Sequence, residues 1–88
     1  LYVLLTINKE NTQMKTISTL KAISEKRYYV ELVQVVNPTG YTYYRIFAKR
    51  CGRNGRWFNS HSYEWTEIAA LRKFQHKVTQ LHSVTNWN

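Results

Sequence analysis

Alternating apolar and polar residues dominate most of the chain and give way to a helical spacing near its end. The stretch Arg27 to Val36 (RYYVELVQVV) is rich in tyrosine and valine, which predicts a β-strand. The segment Asn37-Pro38-Thr39-Gly40 is predicted to turn, because proline presets φ and glycine tolerates a positive value. A second strand is predicted from Tyr41 to Arg53, and a third from Arg56 to about Tyr63.

The end of the chain has the pattern of an amphipathic helix. Thr66 is the predicted N-cap, and Glu67 in the first turn suits the helix dipole. One predicted face is apolar and recurs at intervals of three and four residues: Ile68, Leu71, Phe74, Val78 and Leu81. Residues 85–88 are expected to fray. The sequence therefore predicts an α+β fold, an antiparallel sheet of three to five strands with one C-terminal amphipathic helix packed on one face.

The beginning of the chain is less regular. Residues 1–7 are apolar and β-prone, so they are expected to add an edge strand. Residues 14–26 fit two interpretations: an apolar residue at every third position favours a short helix, whereas β-branched residues favour a strand. A length of 88 residues predicts one small domain over residues 1–88. Either the sequence is a fragment or the protein begins at Met14, in which case residues 1–13 are an extension.

Positive charge is concentrated between Tyr41 and Trp57. The formal net charge is +8, and no carboxylate occurs between Glu31 and Glu64. Asn54-Gly55 is the preferred pair for a two-residue type I′ hairpin loop, which would set Arg53 opposite Arg56 and Cys51 opposite Phe58, with Arg45 near Glu64. Crowding like charges costs self-repulsion that a merely soluble surface does not require, so a polyanionic partner is favoured.

Strand alternation then sorts the hairpin into two faces. The predicted core face comprises Tyr44, Ile46, Ala48 and Trp57, and the opposite face comprises Tyr43, Arg45, Phe47, Lys49 and Arg53. Arg50 is separated from Ala48 by two positions, so alternation places its side chain on the core face. It can therefore contact a partner only if it lies beyond the edge of the core. Cations interleaved with aromatics suit nucleic acid, since cations neutralise phosphates and rings stack on bases. The alternative is that Tyr43 and Phe47 pack under the N-terminal segment while the cations are simply solvated.

Signals for catalysis or metal binding are weak. The residues His61, His76, His82 and Cys51 lack the spacing of a metal site, and a Cys51–His61 dyad is predicted to lie on opposite faces. The five carboxylates are scattered, and no glycine-rich phosphate loop precedes a helix. We therefore expect no enzymatic activity, no metal and no cofactor. Core positions are expected for Trp57 and Trp65, whereas Trp87 is expected to be exposed or to belong to a disordered tail.

Cysteine content and hydropathy bear on the compartment. A single cysteine cannot form an internal disulfide, which fits a reducing, intracellular environment, either cytoplasmic or nucleoid-associated. The opening apolar run of residues 1–7 is too short to span a bilayer. A membrane surface is a disfavoured partner, because no helix joins a strongly basic face to a bulky apolar one with interfacial aromatics. The oligomeric state is left open.

The stretch from Tyr28 to about Lys77 resembles a WGR domain. The resemblance is carried by Arg50-Cys51-Gly52-Arg53-Asn54-Gly55, with Cys51 at the position of the family's tryptophan, and by Ala70, Phe74 and Lys77 in the helix. It implies a nucleic-acid-binding module built on an antiparallel sheet with one helix. The sheet-plus-helix order is also similar to phage integrase arm-binding domains, which insert a sheet into the major groove of DNA. Both resemblances favour DNA over RNA.

The function predicted from the sequence is non-enzymatic binding of nucleic acid through the hairpin, mostly by contacts to the backbone. The alternative is a small phage-type inhibitor or adaptor that binds an acidic or nucleic-acid-binding surface of a partner protein. The predicted contact residues are Tyr43, Arg45, Phe47, Lys49, Arg50, Arg53 and Arg56, extended on the helix by Arg72, Lys73 and Lys77.

Overall fold

The computed structural model describes residues 15–87, which form four strands followed by one helix. The predicted α+β fold is confirmed, and the strand expected over residues 1–7 lies outside the described residues. The elements are β1 (Thr16–Ser24), β2 (Tyr28–Val36), β3 (Thr42–Cys51), β4 (Trp57–Glu64) and α1 (Glu67–Thr85). Within the described residues, no helix is long and apolar enough to cross a membrane.

The strands form one antiparallel meander in the order β1-β2-β3-β4. Residues 16–24 resolve the ambiguity of the N-terminal segment in favour of a strand, which pairs with β2 at the edge of the sheet. A bulge at Leu20 interrupts the pairing between Thr19 and Lys21. Because of the bulge, the apolar residues that recur at every third position do not share one face. Ile17 pairs with Val35 and Ile23 with Val30, which lie on opposite faces of the sheet.

The turn between β2 and β3 has the predicted chemistry. The amide of Gly40 donates to the carbonyl of Asn37 at 2.9 Å, and Gly40 has a φ of 109°. The Asn37 side-chain oxygen accepts hydrogen bonds from the amide and hydroxyl of Thr39, at 3.2 and 2.8 Å. The turn holds β2 and β3 in continuous register from Val36–Thr42 to Tyr28–Arg50.

The loop between β3 and β4 is one residue longer than predicted. The amide of Gly52 donates to the Arg56 carbonyl at 2.7 Å, and that of Gly55 donates to Gly52 at 2.9 Å, so the loop is residues 53–55. Gly55 has a φ of 84°, while Asn54 has no positive φ. This fits a three-residue loop that ends in one left-handed residue rather than a type I′ turn. Asn54 instead accepts a side-chain hydrogen bond from the Arg56 amide at 3.0 Å.

The longer loop changes which residues of β3 and β4 are neighbours. Cys51 pairs with Trp57, Arg50 with Phe58 and Arg45 with Tyr63, so the three predicted pairings at this hairpin are wrong. A slip of one residue moves a whole strand to the other face of the sheet. Trp57 therefore leaves the predicted core face and is 48% exposed.

The core lies between α1 and the facing side of the sheet, chiefly under β2 and β3. Tyr44, Ile46 and Ala48 are buried there as predicted, together with Tyr28, Val30 and Leu32 from β2. From the helix, Ala70, Phe74 and Leu81 are buried, and Leu71 and Val78 pack against them. The opposite side of the sheet, here called the aromatic face, carries the side chains of Tyr29, Tyr43, Phe47, Trp57, His61 and Tyr63.

The helix begins as predicted, and four of the five residues of the expected apolar stripe face the core: Leu71, Phe74, Val78 and Leu81. Thr66 caps the helix by accepting a hydrogen bond from the Ala69 amide at 3.2 Å, and Glu67 lies in the first turn. Ile68 is 65% exposed, which corrects its predicted core position. It precedes buried Ala70 by two positions, which is roughly 200° around the helix. The expected fraying is also wrong up to Trp87, because Thr85 is buried and Trp87 is half-buried.

Candidate nucleic-acid interface

The hairpin formed by β3 and β4 divides the predicted contact residues between two surfaces. Tyr43, Arg45, Phe47 and Lys49 lie on the aromatic face, as alternation predicted. Arg50, Arg53 and Arg56 lie toward the helix side of the hairpin end, against aromatic rings described below. The predicted position of Arg53 beside Tyr43 and Phe47 is therefore wrong, because Arg53 belongs to the loop rather than to the strand.

Phe58 is the centre of the first arginine cluster on the helix side. The guanidinium carbon of Arg50 lies 4.7 Å from the centre of the Phe58 ring, and that of Arg56 lies 5.5 Å from it. Arg50 and Phe58 are direct partners across the hairpin, so the sheet register itself produces this contact. As expected from its parity, Arg50 lies on the core side but beyond the core, where it is only half-buried.

Trp87 is the centre of the second cluster. The guanidinium of Arg27 lies 4.4 Å from the Trp87 ring and donates a hydrogen bond to the Trp87 carbonyl, while Arg53 lies 5.7 Å from the same ring. The predicted exposure of Trp87 is corrected by these contacts. Arg27 was missed as a site residue, since its partner lies 60 positions away in the sequence and no local pattern links them.

A groove runs between the second half of α1 and the β3–β4 hairpin, where two cavities of about 340 and 510 Å³ adjoin. Arg50, Phe58 and Val84 line both cavities, Lys77 and Gln80 border the first, and Arg53 and Trp87 border the second. We call this surface the groove. It combines cations with exposed apolar groups, since Phe58 and Val84 are 40% and 54% exposed.

The remaining predicted helix residues do not join the groove. Arg72 is exposed and lies five residues before Lys77, roughly 140° away around the helix. Lys73 forms an ion pair with Glu64, with 2.8 Å between Nζ and Oε2. That pair is the single one found within residues 15–87, so the arginines of the groove form no ion pair with a described carboxylate.

The aromatic face is built from side chains that contact one another across β2, β3 and β4. Phe47 lies 4.9 Å from His61 and 6.3 Å from Tyr29, measured between ring centres. The ammonium of Lys49 lies 5.5 Å from the Trp57 ring and 6.0 Å from the Tyr29 ring. Helix α1 packs on the other face of the sheet. On the aromatic face Val33 and Val35 of β2 are nonetheless buried, so the most exposed part of this face lies toward β4. The described part of the N-terminal segment lies beside β2, so it does not cover Tyr43 and Phe47.

Glu31 is the one carboxylate that the described strands place on the aromatic face. The Tyr29 hydroxyl donates a hydrogen bond to it at 2.6 Å. This hydrogen bond, followed by burial and the negative charge of Glu31, raises the pKa of Tyr29 above its ordinary value. The carboxylate therefore has a neutral partner of its own, and Arg45 and Lys49 form no ion pair with it.

Four further rings at one end of the aromatic face were not predicted as a unit. Tyr41, Tyr43, Tyr63 and Trp65 contact one another in pairs. Trp65 is 72% exposed, which corrects its predicted core position. The signal that could have identified the cluster is the spacing of two residues in each pair, which places all four rings on one face once β3 and β4 are in the observed register.

Cysteine and histidine residues are dispersed. Cys51 and His61 were predicted on opposite faces, but the observed register puts them on the same face, with His61 opposite Phe47 four positions from Cys51. The His82 Nδ1 atom lies 3.2 Å from the Tyr28 hydroxyl. Among residues 15–87, no three His, Cys, Asp or Glu side chains gather closely enough to hold a metal ion.

No protein-family model, curated protein or solved structure matches the chain. The resemblances to WGR domains and to integrase arm-binding domains therefore stay predictions, and the functional argument depends on the surfaces themselves.

Proposed function

We propose that this chain is a non-enzymatic domain that binds nucleic acid through the groove and the adjoining hairpin end. The observation that carries the proposal is the placement of four guanidinium groups on two aromatic rings. Arg50 and Arg56 share the ring of Phe58, and Arg27 and Arg53 share that of Trp87.

A guanidinium that lies against a ring is well suited to phosphate. Its N–H groups lie in its own plane and remain available at the edges, where they form paired hydrogen bonds with phosphate oxygens. The ring also restricts the long side chain before binding, so less conformational entropy is lost when the phosphate arrives. Lys77 adds a point charge from the helix side of the groove.

The repulsion between the paired guanidinium groups also favours a polyanionic ligand. Two guanidinium groups on one ring repel each other, and a polyanion relieves that repulsion. Within the described residues no carboxylate forms an ion pair with these arginines. A nucleic-acid backbone supplies several phosphates at once and releases its condensed counterions, which is the main source of affinity in such complexes. The WGR resemblance lies in the same hairpin and favours the same class of ligand.

The test compares two double variants that remove equal charge. Arg53→Gln/Arg56→Gln alters the hairpin end, and Lys15→Gln/Arg72→Gln removes two cations outside the groove; all four side chains are exposed, so the core is left intact. Affinity for labelled DNA duplexes and single strands is measured over a salt series. We expect the first variant to reduce the slope of log affinity against log salt by about one for each phosphate that the protein no longer neutralises.

The control variant is expected to bind nearly as tightly as the wild type and to keep its salt slope. If the two variants lost equal affinity, net charge alone would explain the loss, and a binding site at the groove would be contradicted. An affinity of the wild type that does not change with salt would contradict the proposal as a whole.

A partner protein with an acidic surface is the second candidate. The observation that favours it is the exposure of Phe58 and Val84 beside the arginines, because aromatic and arginine side chains dominate the energetics of protein interfaces. Co-purification of a stoichiometric protein, abolished in Arg53→Gln/Arg56→Gln and retained in the control, would support this candidate if labelled nucleic acids show no binding.

A further inference from the structure

The four rings at the end of the aromatic face form a surface that the proposed function does not yet use. Between ring centres, Trp65 lies 6.0 Å from Tyr41 and 6.1 Å from Tyr43, and Tyr43 lies 6.1 Å from Tyr63. The rings of Tyr41 and Tyr43 lie 6.3 Å apart. We call these four residues the aromatic patch.

The aromatic patch borders a concavity and is exposed. A cavity of about 320 Å³ is lined by the four rings and Glu64, which is at the lower end of the size range of small-ligand sites, roughly 300–1,000 Å³. Trp65 and Tyr63 are 72% and 59% exposed. Large aromatic side chains that remain exposed as a contiguous group mark a binding surface more often than isolated exposed residues do.

The rings suit two kinds of flat or soft ligand, a nucleobase and a quaternary ammonium group. An ammonium ligand would gain from a nearby carboxylate, but Glu64 already forms an ion pair with Lys73. The neighbouring strand positions also favour an anion, since Arg45 is the direct partner of Tyr63 and Lys49 lies further along β3. Charge complementarity therefore favours a nucleobase, which belongs to a polyanionic chain, over a quaternary ammonium group.

We propose that the aromatic face binds the unstacked bases of single-stranded nucleic acid, with the aromatic patch as its main stacking site. The inference depends on the proposed function and specifies its ligand. Bases inside a duplex are stacked on each other and cannot present their faces to tyrosine or tryptophan, whereas the bases of a single strand can.

The rest of the aromatic face continues the path of the strand. From Tyr43 to Lys49 the backbone of β3 extends about 20 Å at the usual rise per residue. Along this path Phe47 and His61 supply a second ring pair, and Lys49 lies against Trp57. Arg45 and Lys49 alternate with the rings; Lys49 is exposed, whereas Arg45 is half-buried and its Nε atom is enclosed. A single strand can therefore place bases on the rings and phosphates chiefly on Lys49.

The test uses the full chain with three labelled probes of equal length: an oligothymidylate, an oligouridylate and a DNA duplex. Tyr63→Ala/Trp65→Ala removes the two most exposed rings, and Tyr63→Phe/Trp65→Phe keeps a ring at each position. We expect the alanine variant to lose at least about tenfold in affinity for the single strands. Its affinity for the duplex is expected to stay within about twofold of the wild type, since stacking contributes little there. The phenylalanine variant is expected to bind like the wild type.

Circular dichroism of each variant establishes that the fold is retained, which the exposure of both rings leads us to expect. Tighter binding of one single strand over the other identifies DNA or RNA as the source of the bases and supports the inference in either case. An alanine variant that binds single strands as the wild type does, or that loses equal affinity for the duplex, would overturn it while leaving the groove proposal intact. Saturable binding of tetramethylammonium at the patch, without single-strand binding there, would also overturn it. If the wild type binds none of the three probes, the proposed function fails as well.

Discussion

The groove and the aromatic face both combine rings with cations, but in opposite proportions. In and beside the groove, four guanidinium groups lie on two rings, those of Phe58 and Trp87. On the aromatic face the rings lie mainly on one another, and Arg45 and Lys49 are the cations that β3 places among them. Phe58 and the rings of the aromatic face lie on opposite sides of one hairpin, and Lys49 borders both surfaces. A substitution of Phe58 or Tyr63 can therefore alter one surface alone.

This difference indicates which interaction each surface contributes to the binding of nucleic acid. Attraction between guanidinium groups and phosphates weakens as salt screens charge and competes for the backbone. Stacking between rings and bases depends little on salt and requires bases that are free to unstack. We therefore expect the groove to set how strongly affinity depends on salt, and the aromatic face to set the preference for single strands.

The largest expected effect follows from charge reversal at the hairpin end. Arg53→Glu/Arg56→Glu replaces two exposed cations by anions and should reduce affinity for any nucleic acid by about a hundredfold at low salt. Titrations of duplex and single strand across a salt series measure both affinity and slope. Tyr63→Ala/Trp65→Ala, in contrast, should leave the slope unchanged. If both variants changed the slope equally, the division between the two surfaces would be wrong.

The next prediction compares two tryptophans, one on each surface. Trp87→Ala removes a half-buried ring that holds Arg27 and Arg53, so it should lower the free energy of unfolding by about 1–2 kcal/mol. It should also weaken duplex binding. Trp57→Ala removes an exposed ring on the aromatic face, where it lies 5.5 Å from the Lys49 ammonium, and should cost less than about 1 kcal/mol of stability.

Chemical denaturation followed by circular dichroism measures both tryptophan variants, and the binding panel is repeated with each. Trp57→Ala is expected to weaken single-strand binding while sparing the duplex. Reversed stabilities, with Trp57→Ala the more destabilised, would indicate that the contacts of Trp87 do not tie the end of the chain to Arg27.

A smaller effect is expected from the loop that sets the hairpin register. Gly55 has a φ of 84°, and a β-carbon added there would meet no atom within 4 Å, so Gly55→Ala tests backbone strain alone. The left-handed conformation costs a residue other than glycine about 1–2 kcal/mol, and we expect a loss of stability near the lower limit. Gly52→Ala is the matched variant: its β-carbon would lie 3.1 Å from the Phe58 ring, so it perturbs the groove by contact instead.

Local chemistry made most of the fold predictable from the sequence. The Asn37–Gly40 turn, the Thr66 cap and the strand from Tyr28 to Val36 each depend on residues close together in the chain, and the structure confirms them. The hairpin register could not be predicted in the same way, because Asn54-Gly55 favours a two-residue type I′ loop, whereas the observed three-residue loop uses the positive φ of Gly55 alone. The choice between them moves every residue of β4 to the other face.

The residue types of the candidate site could be predicted from the sequence, but their positions relative to one another could not. Charge density alone indicated Arg50, Arg53 and Arg56, yet their rings come from β4 and from the end of the chain. Trp87 was expected to be exposed because nothing near it in sequence explains its packing against Arg27. Contacts between distant segments depend on how the helix lies on the sheet, and a hydrophobic pattern does not specify that.

The smallest expected effect concerns Glu64, at the end of β4 beside the aromatic patch. Its carboxylate borders the aromatic patch and forms an ion pair with Lys73. Glu64→Gln breaks that pair and should change the free energy of unfolding by less than about 1 kcal/mol, since both side chains are partly exposed. The freed Lys73 should raise nucleic-acid affinity by about two- to threefold at low salt, a gain that disappears at high salt.

Glu67→Gln is the control for Glu64→Gln, because it removes the same charge three residues further along the chain without breaking the ion pair of Glu64. If the gain appears for single strands alone, Lys73 acts beside the aromatic patch, and the phosphates of a bound strand pass near the end of β4. If duplex and single strand gain equally, Lys73 instead extends the charged surface of the groove along α1. An equal gain in Glu67→Gln would mean that net charge rather than position determines the response, and that breaking the ion pair between Glu64 and Lys73 has no effect of its own.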